Sequence, residues 1–198
     1  NVLVIKYKWC VCDMDGTLLN SKGNITVENQ NALKKLEQSG VEIILASGRV
    51  GPMIKPFSKQ LDIKGHIISC NGGLITDEKS GEILYSNIMD KAIVIEIINY
   101  CIKHNMDFLV YSSDMVFSNK NNPLAKKYEN FNKTLSDYLR FPIKYIDEYT
   151  IENINNVNIL KILLICNDQK QVKLLESIFS KHNTLSEIGR ASCRERVS

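Results

Sequence analysis

Val11-Cys12-Asp13-Met14-Asp15-Gly16-Thr17-Leu18-Leu19 is the stretch where an apolar run ends in two carboxylates, a glycine and a hydroxyl. Residues two apart in an extended chain point to the same side, so Asp13 and Asp15 are expected to converge where a strand leaves its sheet. Two carboxylates so placed repel each other unless a cation lies between them. A hard divalent cation such as magnesium fits, held by one or two carboxylates with substrate phosphate oxygens completing its shell. Gly16 then allows a sharp turn that brings backbone N–H groups close to an anion. An Asp-Gly turn alone is common in any soluble protein. The full string behind an apolar strand is much more specific.

Outward from this string the chain reads as alternating strand and helix. Val2 to Cys12 is apolar and β-branched and is expected to be the first strand. Thr26 can cap a helix carrying Ala32, Leu33 and Leu36 on one side and ending at Ser39-Gly40. Val41 to Ala46 follows as a second strand, which implies a parallel pair with a right-handed crossover. Ligands bind at the carboxyl edge of such sheets. Ser47-Gly48-Arg49 leaves the second strand at that edge and is expected beside Asp13. The Ser47 hydroxyl and the N–H groups of the turn can hold a phosphate oxygen, and Arg49 offers a forked cation for a phosphate or an acidic substrate. Gly51 to Leu61 reads as a short helix with Pro52 in its first turn and Pro56 limiting its regularity. His66 to Cys70 reads as a third strand, ending in Asn71-Gly72-Gly73.

Asp13-Met14-Asp15-Gly16-Thr17-Leu18-Leu19 resembles the first motif of the haloacid dehalogenase-like phosphohydrolases, and Leu45-Ala46-Ser47-Gly48-Arg49 resembles their second. Asn71-Gly72 after a third strand is similar to the Cof-type branch of that family. The resemblance implies an α/β fold: a Rossmann-like parallel-sheet core with an inserted α+β cap. It implies a magnesium-dependent phosphatase acting on small phosphorylated metabolites through an aspartyl-phosphate. Asp13 is then the nucleophile and a metal ligand. Asp15 is the acid/base, also facing the metal through its main-chain carbonyl. Gly16, Ser47, Gly48, Arg49, Asn71 and Gly72 are candidates for phosphate and substrate contacts. A sugar phosphomutase on the same scaffold is the enzymatic alternative, and a noncatalytic ligand-binding or regulatory protein is the alternative from another class.

Leu74 to Thr76 and Glu82 to Tyr85 flank Asp77-Glu78-Lys79-Ser80-Gly81, a hairpin signature. Beyond it the parallel-sheet rhythm is lost. Ala92, Ile93, Ile97, Tyr100 and Cys101 recur at helical spacing. Strands are expected at Met106 to Tyr111, Met115 to Phe117 and Ile159 to Ile165. Helices are expected from Pro123 and around Val172, Leu175 and Phe179. The expected division is residues 1–80 for the core, 81–186 for a truncated cap and 187–198 for a non-native tail. Glu187 to Val197 resembles a translated sequencing adapter. The family's third-motif lysine and its later acidic pair are expected downstream of residue 186. The 198-residue chain is therefore expected to be an incomplete, poorly stable and inactive fragment of an enzyme.

Composition narrows the remaining classes. With 44% hydrophobic and 24% charged residues the chain is that of an ordinary soluble domain. A net charge of +3, spread over interleaved lysines and acids, argues against a nucleic-acid partner. The six cysteines form neither a Cys-x-x-Cys pair nor a zinc spacing and several sit in apolar runs, so a reducing cytoplasm is the expected compartment. Lys6 and Lys8 interrupt the first apolar run, which argues against a membrane segment.

Overall fold

The computed structural model describes residues 6–182. Two sheets carry the molecule. The first has the order β1-β2-β3-β4-β5, built from β1 (Trp9–Asp13), β2 (Glu42–Ala46), β3 (His66–Ser69), β4 (Leu74–Asp77) and β5 (Ile83–Ser86). β1, β2 and β3 are parallel, and β4 and β5 add antiparallel strands beyond them. The crossovers are α1 (Val27–Gln38) and α2 (Gly51–Leu61). Thr26 caps α1 as expected, its hydroxyl accepting the Asn29 N–H at 3.2 Å. Pro56 lies inside α2 without ending it. Apolar side chains of the first sheet and both helices close one core, including Leu33, Leu45, Ile54, Phe57 and Ile67.

The second sheet has the order β8-β7-β6-β9, formed by β6 (Asp107–Tyr111), β7 (Val116–Ser118), β8 (Ile143–Tyr145) and β9 (Lys161–Ile165). It packs with α3 (Lys91–Lys103), α4 (Pro123–Thr134) and α5 (Gln169–Phe179). Its main core buries Phe108 and Phe117 completely, with Val94, Ile98 and Leu175 around them. A third cluster joins the two sheets: Val50, Met53, Cys70 and Leu74 from the first meet Leu109, Tyr111, Val116 and Leu160 from the second. Asn87 N–H to the Gly73 carbonyl and Met89 N–H to the Ile159 carbonyl, both 2.8 Å, tie down the crossing segment.

Several expectations change. Of the strand expected from Val2 to Cys12, residues 2–5 lie outside the described residues. β1 runs from Trp9 to Asp13 because β2, its only partner among the described residues, pairs with it over just that length. Asp15 is not on a strand. The chain turns after Asp13 through a wide loop, Met14–Leu18, in which Asp15 (φ −76°, ψ 120°) and Gly16 (φ 76°, ψ 4°) are not helical, closed by Leu19 N–H to the Met14 carbonyl at 2.9 Å. The division placed between residues 80 and 81 cuts the β4–β5 hairpin, and β5 pairs with β4. Hydrogen bonding therefore carries the first sheet through Ser86. The strand expected from Ile159 begins at Lys161, since the Leu160 N–H bonds to the Tyr111 carbonyl at the sheet's end. The expected tail at 187–198 lies outside the described residues. No described helix is long and apolar enough to cross a membrane. Cys10, Cys12, Cys70, Cys101 and Cys166 are unbridged.

Candidate active site

Strand register builds the site. Asp13 is the Cα partner of Ala46, and Ala46 is the partner of Ile68. The residues following β1, β2 and β3 therefore emerge side by side at the carboxyl edge of the parallel strands. At β1, Met14 is fully buried and anchors the turn, while Asp13 and Asp15 on either side of it are exposed. Gly16 has φ 76°, in the left-handed region that glycine enters without a Cβ penalty. The turn brings the Thr17 hydroxyl back to Asp13, donating to Oδ2 at 3.2 Å.

Arg49 spans from the second loop to the first. Its Nε donates to Asp15 Oδ2 at 2.9 Å and its Nη2 to Asp15 Oδ1 at 2.7 Å, a two-pronged grip. The guanidinium also stands over the Phe57 ring, 5.4 Å from its centroid. Ser47 is buried, and its hydroxyl oxygen accepts the Arg49 N–H at 3.1 Å. That bond leaves the hydroxyl proton available to a ligand oxygen. Arg49, expected to meet a phosphate or acidic substrate, is here committed to Asp15. A planar fork matches a carboxylate as well as it matches a phosphate.

The third loop is strained. Cys70, Asn71 and Gly72 follow one another at φ 53°, 59° and 90°. Two non-glycine residues in that region cost on the order of 1–3 kcal/mol each and are held by their surroundings. Here the Cys70 N–H bonds to the Arg49 carbonyl at 2.8 Å and the Asn71 N–H to the Ser47 carbonyl at 3.2 Å. The Asn71 side chain lies against Gly48, where a Cβ would sit 2.8 Å from Asn71 Oδ1. Gly48 thus leaves room for that amide, which a side chain at this position would push aside. A residue not foreseen from the sequence completes the group: the Lys161 ammonium, from β9, donates to Asn71 Oδ1 at 2.8 Å and to the Gly48 carbonyl at 3.0 Å.

The structure thus brings Asp15, Ser47, Gly48, Arg49 and Asn71 into one hydrogen-bonded group. Asp13 joins it through strand register, and Gly16 and Gly72 shape its loops. Among the described residues no cluster of three or more acidic, histidine or cysteine side chains forms a complete metal cage. Asp13 Oδ2 accepts one bond, from Thr17, and keeps lone-pair room for a cation that takes one carboxylate oxygen and fills its shell with water and phosphate oxygens, with Oδ1 outside both. Both oxygens of the Asp15 side chain are occupied by Arg49.

Comparison with known proteins agrees with this architecture. Residues 10–192 match the family model for haloacid dehalogenase-like hydrolases. The chain is 31% identical over 114 residues to phosphatase YwpJ of Bacillus subtilis, covering 58% of this chain and 40% of that protein. It is 26% identical over 195 residues to 5-amino-6-(5-phospho-D-ribitylamino)uracil phosphatase YwtE of the same organism, covering 91% of this chain and 67% of that protein. A haloacid dehalogenase-like hydrolase from Bacteroides thetaiotaomicron superposes with a TM-score of 0.75 at 24% identity, over 93% of this chain and 68% of that one. TM0651 from Thermotoga maritima gives 0.71 at 21% identity, over 93% and 66%. The chain thus spans from under half to about two thirds of these relatives' lengths. Both motif strings stand at the carboxyl edge of a sheet shared with these structures, and the chain belongs to the haloacid dehalogenase-like hydrolase family, in its Cof-type branch.

Proposed function

We propose that the protein to which this chain belongs is a magnesium-dependent phosphatase of small phosphorylated metabolites, working through an aspartyl-phosphate on Asp13. The observation that carries this reading is the alignment of Asp13, Asp15 and Ser47 at one sheet edge, with Asp15 held in place by Arg49. Thr17 engages Asp13 Oδ2, which leaves Oδ1 as the oxygen to attack phosphorus. The buried Ser47 hydroxyl donates to a phosphoryl oxygen and fixes its orientation. To act as the acid, Asp15 first takes up a proton on one oxygen, which then leaves Arg49; it passes that proton to the departing ester oxygen and afterwards takes one from the water that opens the aspartyl-phosphate. Arg49 keeps the carboxyl aimed through the oxygen it still holds. Magnesium, held by Asp13 and the Asp15 main-chain carbonyl, would supply charge neutralisation between carboxylate and phosphate. The second sheet and its helices, residues 87–182, act as the cap over the site.

The relatives' names support the substrate class. YwtE is named for a phosphorylated ribitylaminouracil, and the 28% identical YbhA of Escherichia coli for pyridoxal phosphate. The test is phosphate release from ribose 5-phosphate with magnesium, using the chain as it stands and a form extended through the expected downstream lysine and acidic pair. Asp13→Asn should abolish turnover in the active form and leave its melting temperature within a few degrees. Surviving turnover would remove the nucleophile assignment.

A further inference from the structure

Lys161 opens β9 and faces Tyr111 across the β6–β9 ladder, its ammonium 5.7 Å from the centre of that ring. An ammonium has three protons to donate, and the structure gives two of them to neutral oxygens, the Gly48 carbonyl and Asn71 Oδ1. Among the described residues no carboxylate lies within ion-pair distance of it. Burial pushes its pKa below the ordinary lysine value. Placing an incompletely solvated cation without a counter-charge between two loops is costly for a structural tie, which a neutral amide could make as well. Such a group is suited to a ligand that supplies further oxygens.

Its position decides which part of a ligand it meets. Asp13, Ala46 and Ile68 are successive register partners, so the loop bearing Gly48 stands one strand from the nucleophile and the loop bearing Asn71 two. An ammonium bonded to both lies at about 5–10 Å, at about 4.8 Å per strand. A phosphoryl group bound at Asp13 reaches little of that distance, whereas a chain of four or five carbons beyond the ester oxygen spans it. Lys161 also comes from the second sheet, while the side chains assigned to the phosphoryl group come from the first.

We infer that Lys161 is a specificity-determining residue that binds the oxygens of the substrate's leaving group, favouring phosphate esters of hydroxylated chains over short or oxygen-poor ones. The inference rests on the phosphatase reading above and extends it to the half of the substrate that is released. The ammonium trades its bonds to Gly48 and Asn71 for substrate hydroxyls, or shares them. No bond is made or broken by Lys161 itself, so its signature is affinity.

Binding of two probes, ribose 5-phosphate and methyl phosphate, measured by calorimetry in an Asp13→Asn background, tests this without turnover. Lys161→Met should lower the preference for ribose 5-phosphate over methyl phosphate by about tenfold, the scale of a charge-assisted hydrogen bond. Lys161→Gln, which keeps a donor for Gly48 without the charge, guards against a folding defect and should also lower it. An unchanged preference in well-folded variants, or an equal loss for both probes, overturns the assignment while leaving the phosphatase reading standing. Binding of neither probe by the Asp13→Asn parent counts against both.

Discussion

Arg49 holds Asp15 by both carboxylate oxygens, at 2.9 and 2.7 Å, across the gap between the first and second loops of the site. Asp15 is 58% exposed at its side chain and Arg49 23%, so the pair adds little to stability, up to about 1 kcal/mol. Its consequence is aim. Arg49 is fixed by its backbone bond to Ser47 and by Phe57 beneath it, and it passes that fixity to the proposed acid/base.

Arg49→Lys keeps the charge and loses the fork, and Arg49→Met loses both. Turnover of a sugar phosphate is expected to fall roughly tenfold and roughly a hundredfold respectively, the scale of a misplaced acid/base. Loss on para-nitrophenyl phosphate, whose leaving group needs little protonation, should be smaller in both. Comparing kcat for the two esters checks it; equal losses would mean that Arg49 binds the phosphoryl group instead.

Thr17 has one visible task, donating to Asp13 Oδ2. Thr17→Val preserves shape and removes that donor, leaving the carboxylate free to rotate. We expect kcat to drop about tenfold with KM little changed, since orientation of the attacking oxygen is at stake. A Thr17→Ser variant should restore most of the rate, and steady-state kinetics on the three proteins decides the matter.

Gly48→Ala would place a Cβ 2.8 Å from Asn71 Oδ1, the same oxygen that accepts from Lys161. The amide must turn away, and destabilisation of about 1–2 kcal/mol is expected, readable as a lower urea midpoint. Asn71→Gly removes both the obstructing amide and the left-handed strain of its residue, whose φ is 59°. The double variant should therefore be less destabilised than the two singles added together. Strict additivity would show that Asn71 is not the obstacle.

How much of this was legible in the sequence depends on the range of the interaction. The string around Asp13 and Asp15 and the one around Ser47 announce themselves because strand, turn and chemistry are contiguous, and parallel pairing of β1, β2 and β3 aligns them without further information. The Asp15–Arg49 pair was not legible, since Arg49 suits phosphate and carboxylate alike and only the turn geometry after Asp13 chooses. Lys161 was hidden for another reason. Within Ile159-Leu160-Lys161-Ile162 it reads as the polar position of a strand, and its role comes from packing between sheets that brings it to Asn71, far away in the chain. The division at residue 80 rested on a similarly local signal: a turn marks a hairpin but not which sheet receives the second strand, and β5 pairs with β4.

Cysteine chemistry gives a last, independent check on the site's packing. Burial pushes the thiols of Cys12, beside the nucleophile, and Cys70, in the strained loop, up to about 11, with the neighbouring Cys10 adding to the effect at Cys12. The thiolate is the reactive form, so at pH 7.5 iodoacetamide should leave both residues unmodified in the folded chain and label them in urea. The same shifts set a sign for stability. Each thiol binds its proton more tightly folded than unfolded, so its contribution is complete below the ordinary thiol value and is lost as pH rises towards 11. Lys161, shifted the other way by burial, opposes this by gaining stability as pH climbs towards the ordinary lysine value. Urea midpoints measured from pH 8 to 11 should therefore fall less steeply in Cys70→Ala than in the parent chain. Rapid labelling of Cys70 at pH 7.5 would mean that the loop carrying Asn71 opens readily, and the contacts joining Gly48, Asn71 and Lys161 would then not hold the site together.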